Sequence, residues 1–272
     1  MQFEIPEFDE SKNPNIPHES PSKDLWRMLR YFAIIILGIY LTIEAIVFSL
    51  PYAIDVEREQ RWFGSVGEMM VDNAKPNAEL QKIADDLAIK MDLPANIVKI
   101  YISPSDDINA YATFGGHIVF HQGLLNKMPN EEAIVGILAH EMAHVQHRDV
   151  LRGSSRGLLF SLVISSITGG NQASMTVTQL DSLRYSRQLE EQADAKAVEM
   201  LHLYYGSVGG MLDAFRELEK MEQLDNLPTW ILSHPKPKQR IQAVYDIAQQ
   251  KNYALEQGKR LNRWQKTVQK NS

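Results

Sequence analysis

The run Asn130-Glu131-Glu132-Ala133-Ile134-Val135-Gly136-Ile137-Leu138-Ala139-His140-Glu141-Met142-Ala143-His144 opens with a helix-capping asparagine and two acids, then places Ile134, Ile137 and Leu138 at helical spacing. It reads as one strongly amphipathic helix carrying an H-E-x-x-H pattern. At about 100° per residue, His140 and His144 stand about 40° apart and one turn removed, so both imidazoles reach a single ion. Glu141 is turned about 60° from His144. Its carboxyl therefore sits beside the ion rather than on it, where it can relay a proton between an attacking water and a leaving amine.

Two histidines do not complete a catalytic zinc site, which takes three protein ligands and leaves one position open. The chain holds no cysteine, so thiolate zinc sites, iron–sulfur clusters, disulfide frameworks and thiol catalysis are excluded. The missing ligand is then His, Asp or Glu. His147 shares the helix face but lies a further turn along, and the glycine turn that would bring it back comes only at Gly153. It reads as a helix-end residue. Farther on, Ser186-Arg187-Gln188-Leu189-Glu190-Glu191-Gln192-Ala193-Asp194 sets Glu190 and Asp194 four apart on a second helix. That pair supplies one ligand carboxylate and one that accepts the remaining ring N–H of a zinc histidine, His140 by this reading, fixing its tautomer. Glu191 points to solvent, and Arg187 reads as a buried ion-pair partner.

Around these helices, Leu80, Ile83 and Leu87 follow a helical period after Pro76-Asn77, while Ile97–Ile102, Asn109–Thr113 and His117–His121 read as short strands, the last preceded by Gly115-Gly116. Later helices are marked by Met211, Leu212, Phe215 and Leu218, then by Ile241, Val244 and Ile247. The expected fold is α+β and mostly helical, with a small β-sheet next to the zinc-bearing helix. The strand His117–His121 has two readings. As an exposed strand, with Gly116, His117, Ile118 and Val119 presenting unpaired backbone groups, it would bind an extended peptide as an added strand; otherwise it is a core strand with the glycine pair as its turn.

Upstream, Tyr31 to Ile54 is apolar apart from a few polar residues, and at about 1.5 Å per residue it is long enough to cross about 30 Å of hydrocarbon. Glu44 near its middle costs about 3 kcal/mol, which the many Leu, Ile, Val and Phe residues outweigh at about 0.3–0.6 kcal/mol each. The domain reading is a disordered acidic cytoplasmic tail over 1–27, a transmembrane anchor over 28–54, a zinc-bearing domain over 55–250 and a basic, solvated C-terminal tail over 251–272. Lys23, Arg27 and Arg30 precede the span and only Arg58 and Arg61 follow it closely, so the N-terminus is expected in the cytoplasm and the zinc-bearing domain outside it. Leu158 to Ile167 is too short to span and reads as a core helix or a membrane-leaning surface.

With 34 acidic against 28 basic residues the net charge is −6, which does not suit a nucleic-acid partner. Apolar residues at 44% and charged ones at 23% are ordinary for a globular chain, so a sizeable core is available.

The runs HEMAHVQH and, about forty residues later, YSRQLEEQAD resemble the zinc metallopeptidases related to HtpX and the CaaX prenyl proteases, peptidase family M48. Asn109-Ala110-Tyr111-Ala112-Thr113 with Gly115-Gly116-His117-Ile118-Val119, and Ser233-His234-Pro235 with Arg240-Ile241, match the same family in the same order. The resemblance covers roughly Glu68 to Gln250 and implies a gluzincin-type metallopeptidase of small, minigluzincin-like fold. It places the third zinc ligand on Glu190 beside His140 and His144, with one Zn2+ per chain and Glu141 as general base. The family's HtpX and prenyl protease branches carry several spans where this chain has one, which implies a single-anchor member with a water-facing site. His234 has three readings: a ligand that blocks the open position, a donor to the oxyanion, or a cap on the helix beginning near Lys238. Tyr185 and Arg240 are weaker oxyanion candidates. The implied activity is a membrane-anchored endopeptidase of the inner membrane, acting on unfolded or envelope proteins in quality control. The alternative is a non-catalytic, membrane-tethered chaperone-like protein with a structural zinc.

Overall fold

The computed structural model describes residues 21–71, 73–153, 186–223 and 228–264. Leu158 to Ile167, Tyr185, the first twenty residues and the last eight lie outside them. The chain divides into two units, Met1–Ile46 and Val47–Ser272.

Helix α1, Pro21–Ala53, is 33 residues long. Within it Ser22–Ser49 is long and apolar enough to cross a membrane. Pro21 stands at its first position, where a missing N–H costs nothing, and Asp24 lies in its first turn. Residues 21–27 are therefore helical and continuous with the apolar run rather than part of a tail.

The second unit is built from helices α2 (Val56–Met69), α3 (Ala78–Lys90), α4 (Gln122–Lys127), α5 (Glu131–His147), α6 (Arg187–Tyr205), α7 (Gly209–Gln223), α8 (Thr229–Ser233) and α9 (Pro237–Lys251), with strands β1 (Lys75–Pro76), β2 (Lys99–Ser103), β3 (Ala110–Thr113) and β4 (His117–His121). Among the described residues the fold is mostly helical with one small mixed sheet, as the sequence predicts. Side-chain caps start the principal helices: Asp55, Asn77, Asn130 and Ser186 accept from the amides of Arg58, Leu80, Ala133 and Leu189.

The sheet runs β1-β2-β4-β3. β4 pairs with β2 in parallel and with β3 antiparallel, Ala112 facing Ile118 and Thr113 facing His117. The exposed-strand reading of His117–His121 is thereby corrected. Both edges of β4 are already paired, and Gly116, His117, Ile118 and Val119 are buried, so the core-strand reading holds. The sequence could not separate the two because a central strand and a covered edge strand share one apolar pattern. Among the described strands the sheet edges are β3 on this side and the two-residue β1 on the other.

Helix α5 is buried from Glu131 to Val145. It packs against α6 and α7 as well as α3 and β3, so it is enclosed rather than amphipathic. Its start is held by the segment after α9. Asn130 Nδ2 donates to Asp213 at 2.8 Å, and the Gly258 amide reaches the same carboxylate at 3.0 Å. Lys259 N donates to Glu132 at 3.0 Å, while Arg263 Nη2 and the Tyr205 hydroxyl reach Glu131 at 2.8 and 2.9 Å. Asn262 Nδ2 bonds the carbonyls of Leu125 and Met128 at 2.7 Å each, and Trp264 is buried. The basic side chains of the tail are exposed up to Arg263, as a solvated reading has them, but the segment is not a free tail up to Trp264: Arg260 and Arg263 also pair with buried Glu131 at the positive end of α5.

Helix α2 lies against the turn Phe114–Gly116 that joins β3 to β4. A Cβ on Gly67 would collide with the Phe114 carbonyl, and one on Gly115, at φ +70°, would lie 2.6 Å from Gly64 Cα. The glycines are what let helix and turn approach this closely. Beneath them Glu59 is buried, with the Gly115 amide 3.4 Å from Oε1 and Oε2 unpartnered. Burial raises its pKa to about 7 against the partial relief of that amide and of the Arg148 charge.

Candidate metal centre

Helix α5 ends at His147, where Arg148 turns left-handed at φ 57° and caps it. His147 is a helix-end residue, as its spacing predicts. One turn earlier, His140 and His144 face α6, and their Nε2 atoms stand 3.1 Å apart. From α6, Glu190 brings Oε2 to 3.5 Å of His140 Nε2 and Oε1 to 3.7 Å of His144 Nε2. From the end of α8, His234 sets Nδ1 at 2.9 and 3.0 Å from the Glu190 oxygens and 3.3 Å from His140 Nε2. One donor atom from each of these four buried residues lies within 4.8 Å of every other. The helix-cap reading of His234 is corrected, since α9 starts at Pro237 with no side-chain cap.

The far sides of the two α5 imidazoles decide what this cluster suits. His140 Nδ1 is 3.0 Å from Asp194 Oδ1, and His144 Nδ1 is 2.9 Å from Asp149 Oδ2. A carboxylate only accepts, so each Nδ1 carries the proton and each Nε2 presents its lone pair inward. Two imidazole lone pairs and a carboxylate then converge in a dry space. They repel one another unless a cation lies among them, and the N/O donor set is one that zinc favours.

Charge around the ring is uneven. Burial first, and then the Arg240 cation, lower His140 to about 3, which keeps it a neutral ligand. For His144 the downward pull of burial is outweighed by the Asp149 hydrogen bond and nearby carboxylates, so its pKa rises; the opposite shifts follow from which neighbour each ring meets. Burial would raise Asp194, but Arg240 holds it well below the usual carboxylate range. Arg240 Nε donates to Asp194 Oδ2 at 2.8 Å, and its guanidinium lies 4.3 and 4.5 Å from the ring centres of Phe215 and Trp230. Arg240 thus binds Asp194 through Nε and Nη2 and keeps a buried Nη1 without a hydrogen-bond partner.

Glu141 stands beside the cluster. Its Oε2 accepts from the Ala112 amide at 3.1 Å and its Oε1 from the Trp230 indole at 3.3 Å, with His234 Nε2 at 3.7 Å. Burial lifts its pKa to about 7. Glu191 is exposed, and so is Arg187, whose buried ion-pair reading is corrected. Sequence reasoning missed Asp149 and Trp230. Asp149 had a signal, being an acid five residues beyond a candidate ligand and just past a helix end. Trp230 had none, because its approach to Glu141 depends on where α8 is carried in space.

Comparison with known proteins gives a consistent set of likenesses. The family description "Peptidase family M48" matches residues 74–248. The beta-barrel assembly-enhancing protease of Escherichia coli (strain K12) is 26% identical over 194 residues, 63% of this chain and 39% of that protein. The metalloprotease YcaL of the same strain is 28% identical over 186 residues, 64% of this chain and 70% of that one. A protease HtpX homolog of Campylobacter concisus is 37% identical over 107 residues, 35% of this chain and 36% of its own. The structure of S. mikatae Ste24p aligns with TM-score 0.40 and 18% identity over 82% of this chain and 65% of that chain. This chain spans under half the length of the beta-barrel assembly-enhancing proteases it matches.

Proposed function

The chain belongs to peptidase family M48, and from that premise we propose that it is a membrane-anchored, zinc-dependent endopeptidase. The observation that carries this is the meeting of His140, His144 and Glu190 donor atoms with the Glu141 carboxyl held alongside. His140, His144 and Glu190 would hold one zinc ion per chain, oriented by Asp194 and Asp149. Bound there, zinc supplies Lewis-acid polarisation of a peptide carbonyl and acidification of water. Glu141 takes the proton from the attacking water and delivers it to the departing amine. The Ala112 amide and the Trp230 indole keep its two oxygens aimed.

Strand β3 lies at the sheet edge beside Glu141. An extended peptide added there would present backbone rather than sequence, which supports broad specificity toward unfolded chains. The apolar helix Ser22–Ser49 supports anchoring, with the N-terminus in the cytoplasm and the catalytic unit on the outer side of the inner membrane. Unfolded membrane or envelope proteins are then the substrates within reach, in a quality-control role.

Glu141→Gln tests the reading: the variant keeps its metal and loses cleavage of casein. Retained cleavage would refute the mechanism.

One observation favours a second reading. His234 sits among the donors, and as a permanent fourth ligand it would make the site structural, in a non-catalytic chaperone-like protein. His234→Ala separates the two. In the peptidase reading zinc stays bound and proteolysis changes; in the structural reading zinc is lost and no proteolysis is seen in either form.

A further inference from the structure

Helix α2 has two faces with different tasks. Its inner face, with Glu59, Phe63 and Gly67, is held on the Phe114–Gly116 turn. Outward it presents Trp62, Val66 and Met69, which are 60%, 42% and 81% exposed. At about 100° per residue these three fall within about 60° of arc and form one apolar stripe. Arg58 borders the stripe, and farther round on the same exposed flank the acidic Glu57 and Glu68 lie about 100° or more from the stripe's edge. Large apolar side chains gathered on one exposed arc, with the acids sorted away from them, are the pattern of a helix lying in a lipid–water interface. Tryptophan is the side chain most suited to headgroup depth.

Position along the chain says what covers the stripe. Only residues 50–61 separate the end of the apolar helix at Ser49 from Trp62. Arg58 Nη1 donates to the Ala53 carbonyl at 3.2 Å, tying the first turn of α2 to the last turn of α1. The stripe is therefore kept within a few turns of the point where α1 would leave the bilayer.

We propose that the Trp62–Val66–Met69 face of α2 docks into the phospholipid interface of the membrane crossed by α1. This rests on the anchoring part of the proposed function. Because the inner face of α2 grips the turn that ends β3, docking also fixes the orientation of the sheet edge beside Glu141 relative to the lipid surface.

The chain has no native cysteine, so single labels are unambiguous. Trp62→Cys and Met69→Cys on the stripe, and Glu57→Cys and Glu68→Cys on the acidic flank, are each given a nitroxide in the full chain. The labelled chains are reconstituted in vesicles of phosphatidylethanolamine and phosphatidylglycerol. Collision rates with oxygen, which concentrates in lipid, and with a water-soluble nickel chelate are then compared, and flotation of the vesicles is followed in parallel. The expected result is severalfold protection from nickel at 62 and 69 with preference for oxygen, and free collision with nickel at 57 and 68. Equal nickel access at all four positions in a chain that floats overturns the docking and leaves the anchor standing. A chain that does not float overturns both. Spin–spin broadening at 62 that disappears on dilution with unlabelled chain also overturns the proposal, by showing that a second copy covers the stripe.

Discussion

The Trp230 indole nitrogen lies 3.3 Å from Glu141 Oε1, and the same ring stacks on His234 with centroids 4.4 Å apart. One fully buried side chain thus aims the carboxylate beside the donor cluster and fixes the histidine within it. Trp230→Phe keeps an aromatic surface against His234 and removes only the N–H. A hydrogen bond to a charged acceptor is worth about 1.5–3 kcal/mol, so kcat for casein peptides is expected to fall roughly 10- to 100-fold. KM and bound zinc should hardly change. A fall confined to KM would show that the indole serves substrate binding instead.

Asp149 is fully buried and pairs with His144 Nδ1 at 2.9 Å. Asp149→Asn replaces a pure acceptor by an amide and weakens the inward lone pair of His144. Metal affinity is expected to drop by about 10- to 100-fold, the usual cost of losing such a partner. Competition with a chromophoric chelator measures it, and an unchanged dissociation constant would remove Asp149 from the site.

Glu59 gives stability a pH dependence. Its carboxyl titrates at about 7 in the folded chain against the ordinary glutamate value of 4.5, chiefly because burial disfavours the charge. A carboxyl whose folded pKa is raised binds its proton more tightly when folded. It costs nothing below about pH 4.5, costs progressively more as pH rises toward 7, and carries the full penalty above that. The full penalty is about 3 kcal/mol. Glu59→Gln is therefore expected to gain stability relative to the parent on moving from pH 5 to pH 8, read as the shift in denaturant midpoint at each pH. A difference that stays constant across the range would mean that the carboxyl is solvated.

Two glycines on α2, three residues apart, should respond in opposite ways. A Cβ on Gly67 strikes the Phe114 carbonyl, whereas one on Gly64 meets nothing closer than Gln60 Cγ at 3.7 Å. Gly67→Ala is expected to cost about 2–4 kcal/mol through backbone displacement. Gly64→Ala should be neutral or slightly stabilising through helix propensity. Thermal melts of the two variants side by side check the contrast.

At the start of α5, Asn262→Ala removes the amide that bonds the Leu125 and Met128 carbonyls at 2.7 Å each. Leaving those acceptors without that partner is expected to cost about 1–3 kcal/mol. Urea unfolding measures it, and a loss within error would show that the segment after α9 is not integral to the unit.

Much of this architecture was legible because local chemistry and tertiary role agree. Asn130 and Asn77 open helices as their residue types suggest, and the i, i+4 pairs His140/His144 and Glu190/Asp194 project where a regular helix sends them. The role of β4 was not legible, since Ile118 and Phe120 look the same whether one edge or two are paired. Nor was the fate of the basic segment. Arg260 and Arg263 read as solvated until Glu131 is seen lying beneath them, across more than a hundred residues of sequence. Trp230 and Asp149 meet the site through α8 and through the left-handed turn at Arg148, which no periodicity encodes.

The clamp on the amino end of α5 has a consequence for biogenesis. The groups that neutralise Glu131 and Glu132 and complete the Asn130–Asp213 contact come from Gly258 to Arg263, translated more than a hundred positions after the histidines. A nascent polypeptide halted before them carries every proposed zinc ligand yet leaves Glu131 without its arginines and Glu132 without the amides of Lys259 and Arg260. The last contacts of the central helix are in this way supplied only after translation has passed Arg263, which makes closure of its amino end a late step of folding.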